Sequence, residues 1–137
     1  MLVDGAMTRA VVTVDPSDTI RQAAARMRER RVGCVVVAQA GLPGGVLTES
    51  DIVRLVASGA DLDRMRVAEA MSSPVVTVEP GASLDAAAEL MRARNLKRLV
   101  VVLGSDIRGV LTVRDVAYAQ PEIARAYLNA MTARPED

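Results

Sequence analysis

Hydrophobic and polar positions along this chain follow one pattern twice, the second copy lying 64 residues after the first. In the first copy, residues 11–14 form a short run rich in β-branched side chains that Pro16 stops, which predicts a strand. Ser17 or Asp18 then stands where a helix N-cap is expected. Ile20, Ala23, Ala24 and Met27 follow at helical spacing and predict its buried stripe. Residues 35–38 are continuously apolar and predict a strand buried on both faces. Gly41, Pro43 and Gly44 turn the chain, and residues 45–48 are expected to return antiparallel. Residues 49–58 predict a second helix with Ile52, Val53 and Val56 on its apolar side and Gly59 at its end.

The second copy runs the same way. Its helical stripe is Leu84, Ala87, Ala88 and Met91, its strands cover residues 99–103 and 109–112, and its last helix starts near Val113. No gap is needed to align residues 7–54 with residues 71–118. Both copies open on a methionine (Met7, Met71) and share Val-Val-Thr-Val before Asp15-Pro16 or Glu79-Pro80. Gly45-Val46-Leu47-Thr48 recurs as Gly109-Val110-Leu111-Thr112, each followed three residues later by Asp51 or Asp115. Agreement of this length marks a duplicated supersecondary unit, and like units are expected to pack through like surfaces. The expected fold class is α/β, each half strand-helix-strand-strand-helix. The first domain is placed at residues 1–64 and the second at 65–121. Pro121 is expected to break or kink the last helix, and residues 122–137 to form a C-terminal helical extension.

Composition narrows the chemistry. There is no Phe or Trp, so small aliphatic side chains must build the core at high density. The 17 basic and 17 acidic residues cancel, which leaves no net field for nucleic acid or an anionic membrane. The arginine clusters at 26–31 and 92–98 are read as solvated helix ends whose cations complement the dipole. Histidine is absent, so a zinc site of ordinary composition and a catalytic triad are excluded. Cys34 is alone, cannot form an internal disulfide, and is read as a small buried hydrophobe. The opening residues do not read as a signal peptide, and the longest apolar runs are too short to cross a bilayer. The expected location is the cytoplasm. No Walker phosphate loop or nucleophile elbow occurs, and no enzymatic activity is expected.

The candidate chemistry sits in the doubled Gly-h-h-Thr-x-x-Asp segment, where h is apolar. A strand ends at the Thr and a helix begins. Free N–H groups at that helix start would suit an anion. The Thr hydroxyl can bond a phosphate or ribose oxygen, and an Asp one turn on can accept both hydroxyls of a ribose. The same four residues also spell a capping box, in which Thr caps the helix and Asp reaches back to the Thr N–H. Residue types alone leave both roles open.

The repeat length, the element order, the Met-x-x-x-Val-Val-Thr-Val-x-Pro opening and the doubled Thr-x-x-Asp together resemble a CBS domain pair, over roughly residues 1–120. The resemblance implies two repeats related by pseudo-two-fold symmetry, with adenine nucleotides (AMP, ADP or ATP) bound in clefts between the repeats. Carried over by position, Asp51 and Asp115 would hold ribose hydroxyls, and Thr48 and Thr112 would contact ribose or phosphate. The backbone at Thr13-Val14 and Thr77-Val78 would meet adenine. Arg98, just before a core strand, is the preferred phosphate partner. Arg114 takes the place of Ser50, and an Arg there in this family often makes an internal ion pair. No ring is expected near the motifs. NAD or S-adenosylmethionine is a less favoured ligand, and no cofactor is required. The resemblance further implies a homodimer that signals by conformational change to a separate effector protein. The competing reading is a ligand-free structural or dimerisation module.

Overall fold

A computed structural model describes residues 1–132. The chain divides into two compact units: Val11–Val75, called the first unit, and Met1–Ala10 together with the chain from Val76 onward, called the second. Each unit thus contains one repeat plus a short entry segment that lies before the other repeat in the sequence.

The first unit has a three-stranded sheet of β1 (Thr13–Val14), β2 (Cys34–Gln39) and β3 (Leu42–Thr48) in that spatial order. β1 runs parallel to β2, and β2 pairs antiparallel with β3. The parallel step needs a crossover, and α1 (Ile20–Arg30) supplies it. Thr19 caps α1, one residue beyond the expected Ser17 or Asp18. Its hydroxyl accepts the Gln22 N–H while Gln22 returns a bond to the Thr19 N–H at 2.8 Å. Ser17 and Asp18 are engaged instead with Asp15 in the preceding turn. α1 ends on Arg31 in the left-handed region, as its counterpart helix over Leu84–Arg94 ends on Asn95.

The β2–β3 hairpin is tighter than the glycines and Pro43 suggest. Ala40 and Gly41, both at positive φ, form the two-residue turn, and Pro43 lies within β3. α2 (Glu49–Ala57) follows directly, then α3 (Val67–Ala70). The core of this unit joins Ile20, Ala23, Met27, Val35, Val37, Leu47 and Val67. Ile52 and Leu55 pack against it, whereas Val53 and Val56 point outward, at 66% and 59% exposed. Of the three positions expected on the apolar side of α2, only Ile52 therefore faces the core. Ala24 is half-buried for a related reason: it lines an open groove of about 500 Å³ between α1 and α2, with Met27, Arg28, Arg31, Val32, Glu49, Ile52 and Val53.

The second unit repeats the plan with β4 (Thr77–Val78), β5 (Arg98–Leu103) and β6 (Asp106–Thr112), crossed over by α4 (Leu84–Arg94) and followed by α5 (Val113–Ala119). All four residues of the expected α4 stripe are buried. Gln120 breaks the helix, and Pro121 opens a helical run over 121–132, wound as a π-helix across Ala124–Leu128. Ile123, Ala124 and Leu128 join Leu84, Met91, Leu111 and Val116 in the core of this unit. Residues 133–137 of the expected extension lie outside the described residues. Among those described, no helix is long and apolar enough to cross a membrane.

Candidate functional site

Both Thr-x-x-Asp segments fold alike. In the first unit the Thr48 N–H donates to Asp51 Oδ2 at 2.8 Å, and the Asp51 N–H donates to Thr48 Oγ1 at 3.2 Å. In the second unit the Thr112 N–H reaches Asp115 Oδ2 at 2.9 Å, and the Asp115 N–H reaches Thr112 Oγ1 at 3.0 Å. The capping box is therefore formed in both. The expectation of free helix-start amides needs correction. The Glu49 N–H donates to the Gly33 carbonyl at 3.0 Å and the Val113 N–H to the Lys97 carbonyl at 3.1 Å. With the third helical N–H held by Thr, the helix starts are largely satisfied from within.

The two glycines of the motif have a shared cause. A Cβ at Gly45 would lie 2.4 Å from Met71 Sδ, and one at Gly109 would lie 2.6 Å from the Thr8 carbonyl oxygen and 3.0 Å from Met7 Sδ. The entry segment of each unit crosses there, bridging Val46 to Ser72 and Thr8 to Val110 through paired backbone bonds of 2.9–3.0 Å. This crossing also places a hydroxyl residue beside each motif. Thr8 Oγ1 donates to Asp115, 3.1 Å from Oδ1 and 3.2 Å from Oδ2. Ser72 holds the matching position in the first unit. Sequence reasoning missed both, although the repeat alignment pairs Thr8 with Ser72 directly after the two methionines.

The remaining expected residues are spread more widely. Arg98 is directly opposite Thr112 in the β5–β6 register, as Cys34 is opposite Thr48. Directly paired residues project from the same sheet face, so Arg98 and Thr112 emerge side by side. Arg98 is half-buried and makes no ion pair among the described residues. Cys34 is half-buried rather than buried, because it is the first residue of β2 at the sheet end. Thr13 and Thr77 are exposed, each on the edge strand farthest from its motif strand, about two strand spacings (~9.6 Å) away. The Val14 side chain is committed to the core, and Val78 packs against the core of its unit, so these positions offer only backbone.

Two expectations about neighbours change. Arg114 is exposed and forms no ion pair among the described residues. The arginine that pairs with a motif carboxylate is Arg54, which donates from Nη2 to Asp51 Oδ1. The helix explains this: a residue three positions on shares the carboxylate's face, and an adjacent one does not. A ring also stands near one motif, since Tyr118 occupies the corresponding position one turn beyond Asp115 and is 92% exposed. Asp51 is only 8% exposed, the sole buried polar or charged residue among those described, while Asp115 is half-buried.

Comparison with known proteins places these features. The family model for the CBS domain matches residues 3–58 and again 67–122. The chain is 36% identical over 119 residues to the CBS domain-containing protein YhcV of Bacillus subtilis (strain 168), covering 86% of this chain and 84% of that protein. It spans 59% and 30% of the length of two further curated relatives. Among solved structures it resembles the CBS domain protein PAE2072 from Pyrobaculum aerophilum, complexed with AMP. The TM-score is 0.79 and the identity 30%, covering 91% of this chain and 99% of that one. A hexameric CBS-CP12 protein from bloom-forming cyanobacteria matches with TM-score 0.79 and 28% identity, covering 96% of this chain and 90% of that one.

Proposed function

This chain belongs to the CBS domain family as a tandem pair, and from that premise we propose that it is a non-catalytic regulatory module that takes up an adenine nucleotide and relays its presence as a change of conformation. The observation that carries the reading is the doubled Thr–Asp pair. Each carboxylate accepts its cap N–H through one oxygen; Asp51 also accepts from Arg54 and Asp115 from the Thr8 hydroxyl, a neutral donor that a ribose hydroxyl can replace. The Thr48 and Thr112 hydroxyls, which accept from the helix, still have a proton to donate to a ribose or phosphate oxygen. Arg98 beside Thr112 would bind phosphate, and the backbone at Thr13-Val14 and Thr77-Val78 would meet the base. The AMP complex of PAE2072, 30% identical to this chain, supports AMP, ADP or ATP over NAD or S-adenosylmethionine.

Relay requires that the ligand favour one state and that a partner read it. A homodimer is the first partner proposed, through the open α1–α2 groove with its exposed Val53. The hexameric assembly of the cyanobacterial relative supports self-association as a habit of such chains. A separate effector protein would read the dimer.

One observation favours the second reading, a ligand-free structural module: both Thr–Asp pairs are engaged in capping boxes, a role that by itself accounts for the doubled motif. A melting scan with AMP, ADP, ATP, NAD and S-adenosylmethionine separates the two. A nucleotide at about 100 times its Kd adds about 2.7 kcal/mol of stability. A shift with an adenine nucleotide is expected, and no shift with any of the five would leave only the structural module.

A further inference from the structure

The two motif carboxylates are not equally available, and the difference lies in one residue. Three positions after Asp51 stands Arg54; three positions after Asp115 stands Tyr118. Both positions share a helix face with their Asp. Arg54 donates to Asp51 Oδ1 while the Thr48 N–H holds Oδ2, so each oxygen of this buried carboxylate already has a donor and the charge is matched. Among the described residues Asp115 has no cation: its donors are the Thr112 N–H and the Thr8 hydroxyl, the latter long and shared between both oxygens at 3.1 and 3.2 Å.

Resting on the nucleotide reading above, we propose that Arg54 is a specificity-determining residue that closes the Asp51 motif to ribose and leaves Asp115 as the single nucleotide-binding carboxylate of the chain. A ribose hydroxyl arriving at Asp115 replaces a neutral hydroxyl with a neutral hydroxyl, and Thr8, exposed, returns to water. At Asp51 the same hydroxyl displaces a guanidinium from a carboxylate whose side chain is 10% exposed. A charge-assisted bond there is roughly twice as strong as the neutral bond that replaces it. The chain therefore binds one nucleotide where the doubled motif suggests two, and the repeat with the arginine keeps the motif in a self-paired, structural form.

Reciprocal exchange of the two residues tests this, and both are tolerant positions: the Arg54 side chain is 71% exposed and Tyr118 is 92% exposed. Titration calorimetry with AMP is expected to give one site per wild-type chain. Arg54→Tyr is expected to add a second site. Tyr118→Arg is expected to weaken the original site about tenfold or more, the scale of one hydrogen bond to a charged group. Circular dichroism and melting curves verify folding, and Tyr118→Lys serves as a second variant if the arginine disturbs α5. Two equal sites in the wild type, or loss of binding in Arg54→Tyr, would overturn the proposal while leaving the nucleotide reading intact. The same holds for undiminished binding in both Tyr118 variants. Failure of the wild type to bind AMP or any other adenine ligand sinks the nucleotide reading, and this one with it.

Discussion

The α1–α2 face of the first unit and the α4–α5 face of the second come from the same stretch of repeat, yet one is surface and the other is interior. Ala24 lines an open groove, whereas its counterpart Ala88 is fully buried. Ile52 is half-buried and its counterpart Val116 is fully buried. Val53 is exposed where Ala117 packs against a core. The difference comes from the chain that follows. After α5, the helical run over 121–132 lays Ile123, Ala124 and Leu128 on its unit's core. After α2, the chain turns away, and only Leu62 and Met65 from that connection pack inward. A helix face of small aliphatic residues is thus neither core nor surface by its own composition. The neighbour that covers it decides.

Four measurements break or sharpen this contrast, in falling order of effect. Removing the cover should matter most: Leu128→Ala is expected to cost about 2–5 kcal/mol in urea unfolding, whereas Val53→Ala in the uncovered groove should stay within about 0.5 kcal/mol. Equal costs would mean that the groove is occupied in solution. The crossings come next. Gly109→Ala drives a Cβ into the backbone oxygen of Thr8, while Gly45→Ala meets the flexible Met71 side chain, so about 2–3 kcal/mol is expected for the former and about 1 kcal/mol for the latter. The reverse order would show that the two entry segments are not held alike.

The caps should be nearly equal. Thr48→Ala and Thr112→Ala each remove one hydroxyl that accepts a helix N–H, for about 1 kcal/mol apiece by melting. A much larger loss at one motif would mark that threonine as holding more than the helix start. The smallest effect separates α4 from α1, where Glu89 is replaced by Ala25. A hydrogen bond from Arg92 holds the Glu89 carboxyl below its ordinary value. A lowered folded value means that the contribution is present above the unfolded value and is lost as pH falls through the folded one. The pair is exposed, so Glu89→Gln should lower the Tm only slightly at pH 7, and the gap to wild type should close on acidification below about pH 4. A gap that persisted in acid would point to packing rather than charge.

Much of this was legible in the residues. The doubled strand-helix-strand-strand-helix order followed from periodicity, because buried strands and amphipathic helices leave different spacings. The capping role of Thr48 and Thr112 was one of two readings and is formed in the structure. The cap of α1 was misplaced by one or two residues because Ser17 and Asp18 are themselves good cap residues; the Gln22 that completes the box with Thr19 is the signal that separates them. Arg54 is readable from its spacing to Asp51, whereas the place of Arg114 beside the motif aspartate does not bring it onto the same helix face. What no pattern on one strand of sequence could reveal is which unit owns each entry segment. Self-similarity fixes the period of a repeat and is silent on where its physical seams fall.

Those seams lie about ten residues away from the period. Met7 and Thr8 are made before any residue of the first unit, yet the glycine they cover is Gly109, a hundred residues downstream. The first unit, continuous from Val11 to Val75, can close once Val75 is made, whereas the second waits for Gly109. A gene cut at the repeat boundary would yield two fragments, each bearing the closing piece for the other and a bare glycine of its own. Mixing them should restore by association what covalent continuity provides, whereas a cut at the physical seam after Val75 would leave Val11–Val75 with its own closing piece.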